Sequence, residues 1–205
     1  MFTGIIKNLG QISQIETPLK STGIQISIET DFKNLNLGES ISTDGVCLTV
    51  IKKNKNFFTA EISLETLKKT TLGKMKRHTN VNLERSLTLQ DQLGGHFIQG
   101  HIDGIGSIYT IQSQGNSKLY SFIYPAKLSP YIIEKGSIAI DGISLTIVEC
   151  KQKYFTVSVL NFTRENTSLK NKSIGNIVNL ETDILAKIIE KQSRHYIQNN
   201  QKNLC

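Results

Sequence analysis

Residues 40–49 read SISTDGVCLT, and residues 137–146 read SIAIDGISLT. The two stretches belong to a longer match, because a shift of 97 places aligns residues 40–84 with residues 137–181 without a gap. Of these 45 aligned positions, 15 are identical. Self-similarity at one fixed shift is the signature of an internal duplication, and it has to be recognised before any local pattern is interpreted.

The duplication reaches both ends of the repeated unit. Residues 81–84 and residues 178–181 read VNLE in both copies. A shift of 96 places aligns residues 4–15 with residues 100–111, including matched glycines and isoleucines. We therefore expect one domain at residues 1–95, a second at residues 96–183, and a separate C-terminal element at residues 184–205.

Each half has the pattern of short β-strands. Isoleucines alternate with polar residues at Ile24, Ile26 and Ile28, which is the period of a half-buried strand. The dipeptides Asp44-Gly45 and Asp141-Gly142 are typical of tight turns between strands. Strand-like runs occupy residues 5–15, 40–43, 46–52, 57–63 and 81–85, and recur about a hundred residues later. The sequence predicts an all-β fold with a closed barrel or a sandwich in each half.

Four further segments have their own local signals. Residues 64–72 and 161–169 each predict one short helix, and the glycine-rich residues 100–106 predict the start of a strand. Residues 86–95 join the halves and end in Gly94-Gly95, which we interpret as a hinge.

The C-terminal segment has a helical period. Apolar and amphipathic residues recur at helical spacing in one stripe: Ile184, Leu185, Ile188, Ile189, Gln192 and Tyr196. This stripe either folds back on a barrel or meets its own copy in an oligomer, and we favour the oligomer. Residues 199–205 are expected to form a frayed tail.

Composition places the chain among ordinary globular proteins, with 205 residues of which 38% are hydrophobic and 20% charged. No run approaches the length of a membrane span, and residues 1–20 lack the pattern of a signal peptide, so we expect a cytoplasmic protein. The widely spaced Cys47, Cys150 and Cys205 argue against disulfides and structural zinc. The net charge of +7 comes mostly from scattered lysines, which favours compositional bias over a nucleic-acid partner.

The repeated strands offer candidate functional residues. In residues 46–50, Val46, Leu48 and Val50 share one face while Cys47 and Thr49 share the other. The second copy sets its aliphatic residues against Ser144 and Thr146 in the same way. If the aliphatic face fills the barrel, small polar groups leave room for a ligand on the outer wall; the alternative is an ordinary solvated strand face.

Two histidines follow the junction of the halves. His96 and His101 are five places apart, which on a strand puts them on opposite faces and disfavours a shared metal ion. His101 and Asp103 share a face, so the carboxylate is a candidate to orient the imidazole for proton transfer. Cys47 is a candidate nucleophile, but the sequence shows no positive group to stabilise its thiolate, so a buried or semi-buried inert thiol is favoured. No phosphate-binding loop, dinucleotide motif, HExxH or GxSxG is present, so we expect neither ATP nor nicotinamide dependence.

Four motifs together resemble the riboflavin synthase family over nearly the whole chain. They are MFTGII at residues 1–6, DGVCLTV at residues 44–50, GGHFIQGHIDG at residues 94–104 and DGISLT at residues 141–146. The resemblance implies two six-stranded Greek-key barrels, a homotrimer built by the C-terminal helix, and no cofactor or metal. It also implies that two molecules of 6,7-dimethyl-8-ribityllumazine dismutate into riboflavin and a ribitylamino-pyrimidinedione, with an N-terminal barrel facing the neighbouring subunit's C-terminal barrel. An association with lumazine synthase is left open.

The resemblance also implies two similar substrate pockets. The first comprises Gly4, Ile5, Ile6, Ser40, Cys47, Leu48, Thr49, Glu61, Ile62, Ser63, Leu64, Glu65 and Thr66. The second comprises Gly100, His101, Ile102, Ser144, Leu145, Thr146, Leu160, Asn161, Phe162, Thr163, Arg164, Glu165 and Asp183, with Lys135 reaching a ligand bound by a neighbouring subunit. His101, Cys47, Ser144, Thr146 and Phe2 match the residues near the reaction, with His101 the first candidate for proton transfer.

One segment departs from the family pattern. Many members have Pro-x-Thr-Leu where this chain has residues 161–164, which read NFTR. Thr163 is retained, but Phe162 and Arg164 change the chemical character of the predicted pocket wall. The competing hypothesis is a non-catalytic lumazine- or flavin-binding protein, which we disfavour because both repeats retain their threonines.

Overall fold

The computed structural model describes residues 1–17 and 23–202, with side chains described up to residue 198. The first half forms a closed antiparallel barrel in the strand order β1-β2-β5-β4-β3-β6. Its strands are β1 (Asn8–Glu16), β2 (Gly23–Glu29), β3 (Ser40–Thr43), β4 (Val46–Lys53), β5 (Phe57–Ser63) and β6 (Asn80–Arg85). Because β5 and β4 lie between β2 and β3, the chain makes the crossover of a Greek key.

The second half repeats this barrel with the same neighbours, β10-β11-β8-β7-β12-β9. Its strands are β7 (Gly104–Gln114), β8 (Ser117–Ile123), β9 (Ser137–Ile140), β10 (Ile143–Cys150), β11 (Tyr154–Leu160) and β12 (Ile177–Thr182). The strand pattern left a barrel or a sandwich open, and the six-stranded Greek-key barrels that the family resemblance implied are confirmed. Closure leaves no unpaired edge strand in either half of the described chain.

Alternation of side chains explains why these segments form barrels. In β4 and in β10 the first, third and fifth residues are buried, so Val46, Leu48 and Val50 fill one core and their counterparts fill the other. The tight turns between β3 and β4 and between β9 and β10 place Asp44 and Asp141 at positive φ, each followed by a glycine at positive φ. Two residues at positive φ are the geometry that favours Asp-Gly in a two-residue hairpin.

Several predicted boundaries are wrong, and each has a local cause. Strand β1 begins at Asn8 rather than residue 5, and β7 begins at Gly104 rather than residue 100. Before each strand, Gly4 and Gly100 have φ values of +79° and +82°, so the backbone turns away from strand geometry there.

The two predicted short helices are each divided. Helix α1 (Leu64–Lys69) is followed by a separate 3₁₀ turn, Thr71–Lys74, and helix α2 (Asn161–Glu165) is followed by the 3₁₀ turn Ser168–Asn171. Thr70 lies between helix α1 and the 3₁₀ turn that follows it, in an extended conformation. Its hydroxyl accepts a hydrogen bond from the Leu72 N–H. The threonine therefore caps the end of one helix and the start of the next turn.

The Gly94-Gly95 pair is not a free hinge. A Cβ added to Gly95 would lie 2.1 Å from the Thr3 carbonyl oxygen and 2.8 Å from the Ser144 Cβ. The next residue, His96, donates its backbone N–H to the Thr3 carbonyl at 3.2 Å. Glycine is needed here because two backbone segments approach closely, not because the chain bends.

Helix α3 (Ile184–Lys202) follows the second barrel and confirms the helical period. Leu185, Ile188, Ile189 and Tyr196 are all more than half exposed, so the described part of the chain does not cover the apolar stripe. The base of the helix is fixed by an ion pair of 2.7 Å between Lys187 Nζ and Asp103 Oδ2. The expected tail begins within this helix at residue 199, and residues 203–205, including Cys205, lie outside the described residues.

The barrels pack against each other through a seam with approximate two-fold symmetry. Asn82 Nδ2 donates to the Asp141 carbonyl at 2.9 Å, and Asn179 Nδ2 donates to the Asp44 carbonyl at 2.8 Å. The side-chain oxygen of each asparagine accepts a backbone N–H from the opposite barrel, that of Ser168 or Thr71. A buried side chain with both ends paired is a strong positional constraint, so the seam fixes the relation of the two barrels.

The seam also buries an unequal set of charges. Asp44 and Asp141 are both fully buried, but only the second repeat supplies a cation: Lys172 Nζ lies 2.9 Å from Asp141 Oδ2, and the first repeat has Met75 at the matching position. Burial, and then the proximity of Asp141, raises the pKa of Asp44 well above its ordinary value of 3.8. Burial opposes the charge on Lys172, but Asp141 and Asp44 outweigh it and raise the pKa of the lysine.

Asp44→Asn is expected to flatten the dependence of stability on pH. The folded protein holds the Asp44 proton more tightly than the unfolded chain, so wild-type stability falls as the pH rises from 3.8 through the raised pKa. Asparagine has no such proton and still accepts the Asn82 N–H. Urea midpoints across this pH range measure the effect, with the exposed Asp31→Asn as control. Parallel pH profiles for wild type and Asp44→Asn would contradict the assignment.

Candidate active site

Strands β4 and β10 present the predicted polar faces. Cys47 and Ser144 are half-buried, and Thr49 and Thr146 are exposed, each on the side of its strand that points away from the barrel core. Ser40, on strand β3, is paired in register with Thr49 on strand β4. The predicted division of these strands into an aliphatic inner face and a small polar outer face is confirmed.

Each of these strands is braced by a backbone segment that leads into the other barrel. The Ser144 N–H donates to the Gly4 carbonyl at 2.9 Å, and the Cys47 N–H donates to the Gly100 carbonyl at 3.0 Å. Cβ atoms added to these glycines would lie 2.5 Å from the Cβ atoms of Ser144 and Cys47, respectively. The segments 4–6 and 100–102 thus lie directly beside the polar residues of the opposite barrel.

Phe2 lies at the centre of this arrangement. Its backbone forms an isolated antiparallel bridge with Ile98, with hydrogen bonds of 2.7 and 3.1 Å. Phe2, Ile98 and Ala139 form a small buried cluster against which Cys47 packs. The phenyl ring is fully buried in the described structure, so its first role is to join the two halves beside Cys47.

Ser144 has a partner that the sequence analysis missed. The Nδ1 atom of His96 lies 2.7 Å from Ser144 Oγ, and the imidazole is buried. Burial lowers the pKa of His96, although the nearby Asp183 acts in the opposite direction. The ring therefore favours its neutral form, which is the state needed to exchange a proton with a hydroxyl. No sequence signal pointed to this pair, because the residues are 48 places apart.

The predicted pairing of His101 with Asp103 is wrong. Asp103 Oδ2 accepts hydrogen bonds from the backbone N–H and hydroxyl of Thr182 and also forms the ion pair with Lys187. Residues 101–103 are not in a strand, so the alternation on which the prediction rested does not apply. The exposed His101 is held through its backbone N–H, which donates to Glu181 Oε2 at 3.1 Å.

The segments that follow β5 and β11, which the family resemblance assigns to the pocket walls, differ in the capping of their helices. Ser63 Oγ accepts the Thr66 N–H at 3.1 Å and lies 3.0 Å from the Thr66 hydroxyl, whereas the matching residue Leu160 makes no side-chain cap. Thr66 and Thr163 are both partly exposed, and Phe162 is 79% exposed. The remaining wall positions, Glu61, Leu64, Glu65, Asn161, Arg164 and Glu165, lie at or near the surface.

Three predicted pocket residues point into the barrel cores. Leu48 and Ile62 are buried in the first core and Leu145 in the second. Their side chains fill the barrels, which leaves only their backbone at the outer wall. By contrast, Ile5 is exposed and Ile6 and Ile102 are partly exposed.

Asp183 and Lys135 lie at the margins of the second barrel. Asp183 Oδ1 accepts the Leu185 N–H at 2.9 Å, which makes the aspartate a cap at the start of α3. Lys135 is exposed in the turn before β9, with φ of +64°. Among the described residues, no group of three or more His, Cys, Asp or Glu side chains is placed to hold a metal ion. A search of the same residues finds no helix with the length and hydropathy needed to cross a membrane.

Comparison with known proteins agrees with this geometry. The family model for the lumazine binding domain matches twice, at residues 3–86 and 99–183. Riboflavin synthase of Actinobacillus pleuropneumoniae is 46% identical over 191 residues, which are 93% of this chain and 89% of that protein. Riboflavin synthase of Chlamydia trachomatis is 42% identical over 189 residues, or 92% of each chain.

Solved structures show the same fold at lower identity. LumP complexed with riboflavin has a TM-score of 0.80 at 23% identity, and the match covers 89% of this chain and 99% of that one. LumP complexed with 6,7-dimethyl-8-(1'-D-ribityl) lumazine has a TM-score of 0.78 at 22% identity over the same shares. Duplicated lumazine binding domains, together with high identity over almost the full length, show that this chain belongs to the riboflavin synthase family.

Proposed function

We propose that this protein catalyses the riboflavin synthase reaction. Two molecules of 6,7-dimethyl-8-ribityllumazine react, and a four-carbon unit moves from one to the other, giving riboflavin and 5-amino-6-ribitylamino-2,4(1H,3H)-pyrimidinedione. The observation that carries the proposal is the pair of matching polar faces, Cys47 and Thr49 on one barrel and Ser144 and Thr146 on the other. Two like pockets suit a reaction between two like substrates, because holding both molecules together removes much of the entropic barrier.

The reaction is balanced without a further reactant. The donor lumazine loses its two methyl-bearing ring carbons together with their methyl groups, and these four carbons complete the new ring of riboflavin. The C–N bonds broken in the donor leave its two nitrogens as amines of the pyrimidinedione. A proton must leave the acidic C7 methyl group, and a second lumazine must accept a nucleophile.

The described residues supply groups suited to these steps. His96 and Ser144 are hydrogen-bonded and lie beside Gly4, while Cys47 lies beside Gly100 and the adjoining His101. Thr49 and Thr146 offer exposed hydroxyls on the same strand faces. We assign proton transfer to His101 first, with the buried His96–Ser144 pair as a second route on the other barrel.

The pockets are proposed to be completed by a neighbouring subunit in a homotrimer. The exposed apolar stripe of α3 supports self-association, and Lys135 stands exposed where it is free to reach a neighbouring ligand. In this assembly the domains at residues 1–95 and 96–183 face one another across subunits, and residues 184–205 hold the copies together. We place the protein in the cytoplasm, and an association with lumazine synthase is left open.

The decisive experiment is incubation of the purified protein with 6,7-dimethyl-8-ribityllumazine alone, in the presence of a metal chelator. We expect riboflavin and the pyrimidinedione to appear in equal amounts. A change in ligand fluorescence without formation of riboflavin would identify a non-catalytic lumazine- or flavin-binding protein. Absence of both binding and turnover would contradict both functions.

His101→Gln is expected to slow turnover by about a hundredfold while leaving lumazine affinity nearly unchanged, because general acid–base catalysis contributes factors of this size. The glutamine retains the backbone N–H that Glu181 binds, so the loop should stay in place. Steady-state kinetics and fluorescence titration separate the two effects. Wild-type turnover in this variant would remove His101 from the proposed mechanism and leave the His96–Ser144 pair to be tested next.

A further inference from the structure

The identical VNLE motif of the two repeats is not used by the proposed mechanism. On strands β6 and β12, Val81, Leu83 and their counterparts fill the barrel cores, and all four residues of each motif are buried. The asparagines make the seam between the barrels. This leaves Glu84 and Glu181, two buried carboxylates whose presence needs a separate reason, because burying a charge is unfavourable unless it is well paired.

Glu84 binds the segment in front of the first barrel. Its Oε1 accepts the Thr3 N–H at 2.7 Å and the Thr3 hydroxyl at 2.6 Å, and its Oε2 accepts the Gly4 N–H at 2.9 Å. Burial raises the pKa of Glu84, and these hydrogen bonds oppose the shift. The carboxylate therefore holds two consecutive backbone N–H groups in one fixed orientation.

Glu181 does the same in front of the second barrel. Its Oε1 accepts the Gln99 N–H at 2.7 Å, and its Oε2 accepts the N–H groups of Gly100 and His101 at 3.0 and 3.1 Å. Burial likewise raises the pKa of Glu181 against the effect of its bonded N–H groups. The two carboxylates are equivalent in the duplication and share two equivalent backbone partners, while the third partner is the Thr3 hydroxyl for Glu84 and the His101 N–H for Glu181.

Each of the segments that they hold is hydrogen-bonded to the polar strand of the opposite barrel. Gly4 precedes the first barrel, but its carbonyl accepts the N–H of Ser144 in the second. Gly100 precedes the second barrel, but its carbonyl accepts the N–H of Cys47 in the first. Each glutamate is thus one short segment away from the polar strand of the opposite barrel.

We propose that Glu84 and Glu181 are positioning residues that act crosswise between the repeats. Glu84, on the first barrel, sets the position of Ser144 on the second through residues 3 and 4. Glu181, on the second barrel, sets the position of Cys47 on the first through residues 99–101, and it places His101 at the same time. Their effect on turnover rests on the proposed function, whereas their effect on the local structure does not.

A carboxylate is required because it only accepts hydrogen bonds. Glutamine has the same shape, but one of its two ends is an NH₂ group that would face a backbone N–H. At least one N–H that Glu84 or Glu181 now binds would be left buried without an acceptor, and its segment would shift. Aspartate keeps the charge and the acceptors but is shorter by one methylene group.

The test compares Glu84→Gln and Glu181→Gln in a Cys150→Ser, Cys205→Ser background, where Cys47 is the single thiol. The rate of Cys47 alkylation by iodoacetamide is expected to change by about tenfold in Glu181→Gln and little in Glu84→Gln. A buried hydrogen bond to a charged group contributes enough free energy for a change of this size. The imidazole titration of His96, followed by NMR and assigned with His96→Gln, should move in Glu84→Gln and not in Glu181→Gln. Aspartate at either position should restore part of the wild-type behaviour.

Kinetics give the catalytic half of the test. Both glutamine variants should lower kcat by about tenfold to a hundredfold with little change in KM, since misplacement of a reacting group has effects of this size. The proposal would be overturned if both variants affected Cys47 and His96 equally, or if neither variant affected them. If a glutamine variant does not fold, the aspartate variants are judged by the same crosswise pattern. If the crosswise pattern holds but wild-type protein forms no riboflavin, the proposed function fails and the positioning role stands.

Discussion

Gly4→Ala is expected to reduce turnover by about a hundredfold, because displacement of a reacting group by about 1 Å has consequences of this order. The new Cβ would lie 2.5 Å from the Ser144 Cβ and 2.6 Å from the Ser144 backbone nitrogen, so β10 and residue 4 could not remain in contact. The positive φ of +79° at Gly4 adds a backbone strain of about 1–2 kcal/mol for any residue with a Cβ. Overpacking against the strand adds about 1–3 kcal/mol more.

Gly38→Ala is the matched control for this substitution. Gly38 has a similar φ of +83°, but a Cβ there meets no atom within 4 Å. The control therefore carries the backbone strain without the collision. Thermal unfolding and riboflavin formation, measured side by side, should show a modest loss of stability in Gly38→Ala, a larger loss in Gly4→Ala, and a loss of turnover in Gly4→Ala alone. Equal turnover in the two variants would show that the approach of residue 4 to Ser144 is unimportant for catalysis.

Deletion of residues 184–205 is expected to produce monomers with little remaining turnover. The stripe of α3 exposes Leu185, Ile188, Ile189 and Tyr196, and an uncovered apolar surface of this kind is typical of an interface. If each pocket is completed by a neighbouring subunit, loss of the helix removes the partner barrel and with it the second substrate. Light scattering and the lumazine assay measure the two consequences on the same sample.

The double substitution Ile188→Glu, Ile189→Glu separates the interface from the rest of the helix. It retains the start of α3, including the ion pair between Lys187 and Asp103, and introduces charge only on the exposed stripe. The variant should form monomers with little turnover, as the deletion does, while the β-sheet signal in its circular dichroism spectrum stays unchanged. A deleted or substituted protein that remains trimeric would refute the role of α3 in assembly.

The periodicity of the sequence predicted the strands of each half, because successive side chains on a strand point to opposite faces. The faces of β4 and β10 followed from that rule, and the alternation in residues 46–50 was correct at every position. The same rule failed at residues 101–103, where Gly100 has positive φ and the chain is not a strand, so His101 and Asp103 do not pair. Local periodicity has no information about such a turn unless the glycine is interpreted as one.

The long-range contacts within each half were beyond local pattern. The His96–Ser144 pair and the three hydrogen bonds of each buried glutamate join residues 48 to 82 positions apart. The repeat did mark the relevant residues, since Asn82 and Glu84 are identical to Asn179 and Glu181. On β6 and β12 the neighbouring positions fill the barrel cores, and the polar residues between them are identical in the two repeats. Such identity indicates that the polar residues are buried, but only the structure shows their partners.

The asparagine contacts of the seam have a consequence for how the chain arose. Asn82 binds the turn of the second half in the same way as Asn179 binds the turn of the first, so each surface meets an equivalent surface. That relation is the isologous contact of a two-fold homodimer. An ancestor with a single repeat could therefore have formed this seam between two separate chains before fusion joined them. Within one fused chain the two copies are free to differ, as Cys47 and Ser144, and Met75 and Lys172, do at matched positions.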